Sequence, residues 1–181
     1  MKKLGQVFTP EHIVNRILSE LDYKENNMLN KKIMEPSFGD GAFLKVIVRR
    51  VIDYCIEIKM TNEEIGEQLL NIYGIEIDTE LYKETILELN KITDEYGLNR
   101  VKWNLFNEDT TQYTSDIKFD FIAGNPPYIK IHDLEEETRE RLRSYKFSDG
   151  MLDMYIIFFW NMHRYVIRKW EIRIYNTKLL F

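Results

Sequence analysis

The apolar run Phe119-Asp120-Phe121-Ile122-Ala123-Gly124 leads directly into Asn125-Pro126-Pro127-Tyr128. Two consecutive prolines fit neither a helix interior nor a central strand, because each lacks the amide donor and has its φ held by the ring. The run therefore reads as a strand that must stop here. A residue before proline is pushed toward extended backbone, so Asn125 stands at a strand end, next to carbonyls with no amide partner nearby. A flat group bearing an exocyclic amino substituent suits that arrangement. Asn125 Oδ1 and the Pro126 carbonyl can each accept one N–H, and Tyr128 can stack on the ring face. The blander reading of the same residues is a strand-ending turn.

Upstream, strand and helix patterns alternate. Thr9-Pro10-Glu11 reads as a helix start, with Thr9 as N-cap and Pro10 at the first helical position, followed by an apolar stripe of Ile13, Val14, Ile17, Leu18 and Leu21. Lys32 to Glu35 is a short strand broken by Pro36, and Ser37 to Gly41 is a glycine loop. Phe43 to Ile58 is a helix with Val46, Ile47, Val51 and Tyr54 facing inward. Thr61 and Glu64 form a capping box that opens the next helix. Leu70 to Asp78 is a strand, Glu80 to Lys91 a helix, Val101 to Phe106 a third strand and Phe119 to Ala123 a fourth. Leu134 to Ser144 reads as a charged surface segment and Asp153 to Tyr165 as a buried helix. Such alternation predicts an α/β fold with a doubly wound, mainly parallel sheet and flanking helices. In such a sheet ligands gather at the carboxyl ends of the strands.

The residues at those ends carry chemistry. After the first strand come Glu35-Pro36-Ser37-Phe38-Gly39-Asp40-Gly41-Ala42-Phe43, where Gly39 and Gly41 let the backbone approach a ligand and take positive φ. No Gly-Lys-Ser/Thr follows, which excludes a phosphate-cradling loop, and the acid at Glu35 favours a cationic amine over a phosphate. Glu76 ends the second strand, where a carboxylate can accept bonds from ribose hydroxyls, and Ile77 can cover a base. A solvated acid is the alternative for Glu76. Glu108-Asp109-Thr110 follow the third strand.

Asn125-Pro126-Pro127-Tyr128 resembles the catalytic motif of the S-adenosylmethionine-dependent N6-adenine DNA methyltransferases of restriction–modification type. Glu35-Pro36-x-x-Gly39-x-Gly41 resembles the family's first cofactor motif, and Gly5-Gln6-Val7-Phe8-Thr9-Pro10 the element that precedes it in one subclass. The resemblance runs in family order from Gly5 to about Phe159. It implies a Rossmann-like methyltransferase fold and S-adenosylmethionine as cofactor. It also implies cofactor contacts from Phe8, Thr9, Pro10, Glu35, Pro36, Ser37, Gly39, Gly41, Phe43, Glu76, Ile77, Asp109, Thr110 and Asn125. Asp109 would take the cofactor's adenine amino group, and Asn125, Pro126, Pro127 and Tyr128 would be catalytic. Asp153 to Phe158 resembles the helix whose aromatic residues line the pocket, although an aromatic stripe is also what a core looks like. The substrate implied is an adenine flipped out of DNA.

Composition sets bounds on this. With 181 residues, 44% hydrophobic and 30% charged, the chain has enough for one ordinary globular core. The single cysteine, Cys55, excludes a disulfide framework, and His12, His132 and His163 show no metal-ligand spacing, so no metal is expected. No apolar signal core or membrane-length run occurs, so a cytoplasmic location without membrane contact is expected. A net charge of −5 argues mildly against nucleic acid as a partner, but is compatible with a two-part enzyme whose DNA contacts lie mostly elsewhere.

After Phe159 the family pattern fails, so the expected division is a partial catalytic domain over 1–159 and an atypical tail over 160–181, without a target-recognition domain. Arg164, Arg168, Lys169, Arg173 and Lys178 against Glu171 make that tail basic, which suggests a DNA-binding patch. The preferred reading is a frameshift: AT-rich codons for Arg168 to Phe181, read one base later, can spell a string like the missing family motif. The sheet is then expected to be incomplete at its C-terminal end, with an unpaired edge near its fourth or fifth strand. A separate recognition domain, a completing subunit or a cognate restriction endonuclease would be the partner. The rival readings are an inactive cofactor-binding remnant, a subunit needing a partner chain, and a methyltransferase for protein glutamine or RNA bases.

Overall fold

The computed structural model describes residues 9–98, 101–125, 136, 165 and 172–174. Five strands, β1 (Ile33–Glu35), β2 (Ile72–Ile75), β3 (Asn104–Phe106), β4 (Phe121–Gly124) and β5 (Ile172–Ile174), form one sheet in the order β3-β2-β1-β4-β5. Every pairing is parallel. The chain moves outward from β1 through β2 to β3, then returns to the other side of β1 for β4. The switch point between β1 and β4 therefore opens at the carboxyl ends of these two strands, where Glu35 and Asn125 stand. The doubly wound α/β fold expected from the sequence is the fold observed.

Helices α1 (Glu11–Glu20), α2 (Ala42–Glu57), α3 (Asn62–Leu69) and α4 (Thr79–Glu95) pack against one another around α2. The core beneath them includes Leu18, Phe43, Leu44, Ile47, Ile52, Leu69, Ile33 and Ile72. Helix α2 is apolar over most of its circumference because it has a neighbour on nearly every side. Val46, Ile47 and Val51 are buried as expected, while Tyr54 is half-buried and donates its hydroxyl to Asn26 Oδ1. In α4, Leu89 is buried but Leu87 lies in solvent, and Thr85 and Thr93 take up core positions instead. A second cluster of Met34, Tyr73, Ile75, Phe119, Ile122 and Tyr165 lies apart from the first. Here Tyr73 meets Phe119 edge-on at 5.1 Å, and Tyr165 donates its hydroxyl to the Tyr113 carbonyl. The strands have one apolar side for each cluster, which explains their near-continuous hydrophobic sequence.

The structure corrects one local expectation. Thr9 does not cap α1: the helix begins at Glu11, Pro10 occupies the cap position, and no side chain caps the end. The unpaired edge expected near the fourth or fifth strand falls, among the described residues, on the fifth. Residues 172–174, within the stretch read as an atypical tail, form β5, with Ile122, Ala123 and Gly124 opposite Ile172, Arg173 and Ile174. The capping box at Thr61 and Glu64 is present with both of its bonds. Apart from residue 136, the segment 134–144 lies outside the described residues, as does the stretch 153–164 read as part of a buried helix.

Candidate cofactor and catalytic site at the switch point

The glycine loop leaves β1 through Pro36 and turns back into α2. Gly39 (φ 52°) and Gly41 (φ 74°) both take left-handed backbone, which a side chain makes costly. Gly41 has a second constraint: a Cβ there would lie 2.6 Å from Thr85 Cγ2 of α4. Beside Gly39 there is open space. The Phe38 N–H donates to the Ile75 carbonyl and the Thr85 hydroxyl to the Gly39 carbonyl, so the loop is tied to β2 and α4 together.

Two acids organise this loop. Glu76 is buried, and both its oxygens accept backbone N–H groups: Oε2 from Gly39 at 2.8 Å and Oε1 from Asp78 at 2.9 Å. It thus joins the glycine loop to the start of α4, whose first amides at Glu80 and Leu81 are capped by Asp78. A carboxylate has about four lone-pair directions, so these two bonds leave acceptor capacity for ribose hydroxyls. Glu35 is only 2% exposed, and its Oε2 accepts the Leu44 N–H at 3.0 Å. It serves the first turn of α2 in place of a side-chain cap, which Gly41 cannot supply. Its Oε1 has no hydrogen-bond partner among the described residues. Burial raises the Glu35 carboxyl well above the usual range; the Leu44 amide opposes this, and the nearby Asp40 and Glu76 add to it. A cation placed beside Oε1 would return Glu35 to its charged form.

Ile77, the residue after Glu76, is 67% exposed, so an apolar side chain stands uncovered at the strand-end rim. Asn107 braces this rim by donating to the carbonyls of Glu76 and Ile77 and accepting the Thr79 hydroxyl. Asp109 accepts the Thr111 N–H and hydroxyl on Oδ1 and the Gln112 amide on Oδ2, so it shapes the turn after β3. The buried Thr110 donates its hydroxyl to the Pro36 carbonyl, linking that turn to the glycine loop. At the end of β4, Gly124 runs close to Pro36 and Glu35. The half-buried Asn125 donates its Nδ2–H to Thr9 Oγ1 at 3.1 Å. Thr9, Pro10, Glu35, Pro36, Ser37, Gly39, Gly41, Phe43, Glu76, Ile77, Asp109, Thr110 and Asn125 all lie among the described residues; Phe8, Pro126, Pro127 and Tyr128 do not. Asn107 and Thr85 were not anticipated, since nothing local in the sequence marks either as a brace. Among the described residues, no group of three or more His, Cys, Asp or Glu side chains is placed to hold a metal ion. No described helix is long and apolar enough to cross a membrane.

The residues present fit S-adenosylmethionine. A buried carboxylate with one oxygen unpartnered among the described residues suits its cationic amine, an acid at the end of β2 suits its ribose, and an exposed isoleucine beside that acid suits its base. Fold and strand-end residues together define the class as a Rossmann-like methyltransferase fold. A family model described as Eco57I restriction-modification methylase matches residues 54–169, and the chain belongs to that family. It is 34% identical over 170 residues to a Type II methyltransferase, M.BstVI, of Geobacillus stearothermophilus. That match covers 85% of this chain and 30% of the relative, so the chain spans less than a third of the relative's length. Two solved structures share the fold. The methyltransferase subunit of a type I restriction-modification system from Streptococcus thermophilus has a TM-score of 0.61 and 16% identity, covering 96% of this chain and 35% of that one. A putative class I S-adenosylmethionine-dependent methyltransferase from Listeria monocytogenes has a TM-score of 0.60 and 15% identity, covering 92% and 45%.

Proposed function

We propose that this chain is the cofactor-binding and catalytic part of an N6-adenine DNA methyltransferase acting in a restriction–modification system in the cytoplasm. The observation that carries the reading is the convergence at the switch point. Glu35 ends β1 and Asn125 follows the neighbouring strand β4, while the Glu76 carboxylate after β2 accepts the Gly39 N–H of the glycine loop. When bound there, S-adenosylmethionine would supply an activated methyl group.

The chain's own residues do the rest. Glu35 would hold the cofactor's ammonium group and Glu76 its ribose, Ile77 would cover its adenine, and Asp109 would take the adenine's amino group. Asn125 Oδ1 and the Pro126 carbonyl accept the two N–H bonds of the target amino group. Its lone pair is otherwise delocalised into the ring, and these two acceptors direct it toward the methyl group. Tyr128 stacks on the flipped base. Orientation and electrostatics carry the reaction, and no histidine or cysteine nucleophile is required. The partners proposed are DNA, held largely through a separate recognition domain or subunit, and a cognate restriction endonuclease. The mildly acidic net charge of −5 agrees with DNA contacts that lie mostly outside this chain.

The test is transfer of a labelled methyl group to DNA, with the product base identified as N6-methyladenine. Asn125→Ala is expected to lower transfer at least ~100-fold, in the range of a lost transition-state donor or acceptor, while cofactor affinity stays nearly intact. Equal loss of transfer and cofactor binding would contradict the role given to Asn125.

A further inference from the structure

Thr9 and Asn125 are 116 residues apart in sequence, yet Thr9 Oγ1 accepts the Asn125 side-chain N–H at 3.1 Å. The Thr9 hydroxyl is not used by α1, whose amino end has no side-chain cap. The residue is nevertheless buried, at 8% exposure. Both partners precede a proline, Pro10 in one case and Pro126 in the other. The backbone of each is therefore restricted to extended geometry. Thr9 is also β-branched, which limits its χ1. The softest torsion left in the pair is χ2 of Asn125, because the terminal sp³–sp² torsion of an asparagine is broad. An acceptor oxygen works well only when the incoming hydrogen lies near the plane of its carbonyl group. Whatever sets the carboxamide plane therefore sets how well Oδ1 receives a donor.

We propose that Thr9 is a positioning residue for Asn125: its hydroxyl holds the carboxamide plane and so aims Oδ1 at the amino group to be methylated. This rests on the reading of Asn125 as the acceptor of that amino group, and it goes beyond the cofactor contact that resemblance implies for Thr9. Thr9 thereby acts on Asn125 directly.

The experiment compares the full chain with Thr9→Val, which keeps the shape and removes the hydroxyl, with Thr9→Ser, which keeps the hydroxyl, and with Thr9→Ala as a second deletion. Melting curves establish that each variant folds. The first readout is hydrogen exchange of the Asn125 side-chain amide, followed by NMR and assigned through its loss in Asn125→Asp. Protection is expected to fall about tenfold in Thr9→Val and Thr9→Ala, roughly the factor of one ordinary hydrogen bond, and to persist in Thr9→Ser. The second readout is methyl transfer. Here kcat is expected to fall by about the same factor in Thr9→Val while the cofactor KM changes less, with Thr9→Ser restoring kcat. Unchanged amide exchange in both deletions would overturn the proposal. So would a loss confined to cofactor affinity. If the wild-type chain transfers no methyl group, the proposed activity of this chain fails, and the amide exchange still decides whether Thr9 holds Asn125.

Discussion

At the residue scale, Glu35 is where stability and function pull apart. Burial raises its carboxyl well above the ordinary value of 4.5, so the folded chain keeps a proton that the unfolded chain releases. Between the ordinary value and the raised one, the folded state binds more protons than the unfolded state, and stability falls as pH climbs through that window. Below the window the contribution is fully present. Glu35→Gln removes this titration and retains an oxygen for the Leu44 amide. The ligand-free variant is expected to show a flatter dependence of melting temperature on pH, and to melt higher than the parent chain near neutrality. Thermal melts from about pH 4 to 8 check this; a decline as steep as that of the parent chain would contradict it. The stored cost has a use in the proposed function, because a buried acid short of one partner is a good receptor for an ammonium group.

At the scale of elements, the glycine loop is the part whose geometry was most legible. Gly and Pro punctuate locally, and the expected positive φ values are found at Gly39 and Gly41. The capping box at Thr61 was legible for the same reason, since its partners are three residues apart. Thr9 misled because Thr-Pro-Glu is also a good local cap signal, and a long-range bond to Asn125 took its place. Thr85, Asn107 and β5 were missed because each acts through partners distant in sequence, which no periodicity encodes. The loop makes its own prediction. Gly41→Ala is expected to destabilise the chain by ~1–3 kcal/mol, through strained φ and the collision with Thr85 Cγ2. Adding Thr85→Ser removes the colliding methyl and should recover only the collision's share. Urea denaturation of the single and double variants measures both parts; no recovery would mean that φ alone sets the cost.

At the scale of the whole molecule, the sheet's order gathers the described strand-end candidates, Glu35, Glu76 and Asn125, at one end. The strand count was less legible than this placement. Residues 172–174, where no strand was expected, pair with β4 and cover its edge. A chain ending at Tyr165 would lack β5 and bare the β4 edge, Ile122 to Gly124. It is expected to self-associate and to melt lower, as followed by light scattering and circular dichroism; a monomeric truncated chain of unchanged stability would show that β5 contributes nothing to the sheet. The central claim is that this end of the sheet holds S-adenosylmethionine, and calorimetric titration of the folded chain with that cofactor tests it most directly. One site of micromolar affinity is predicted, with Glu76→Ala weakening it about tenfold or more, as expected for loss of charge-assisted hydrogen bonds. A folded chain that takes up no cofactor, or one whose affinity is indifferent to Glu76→Ala, would contradict the account.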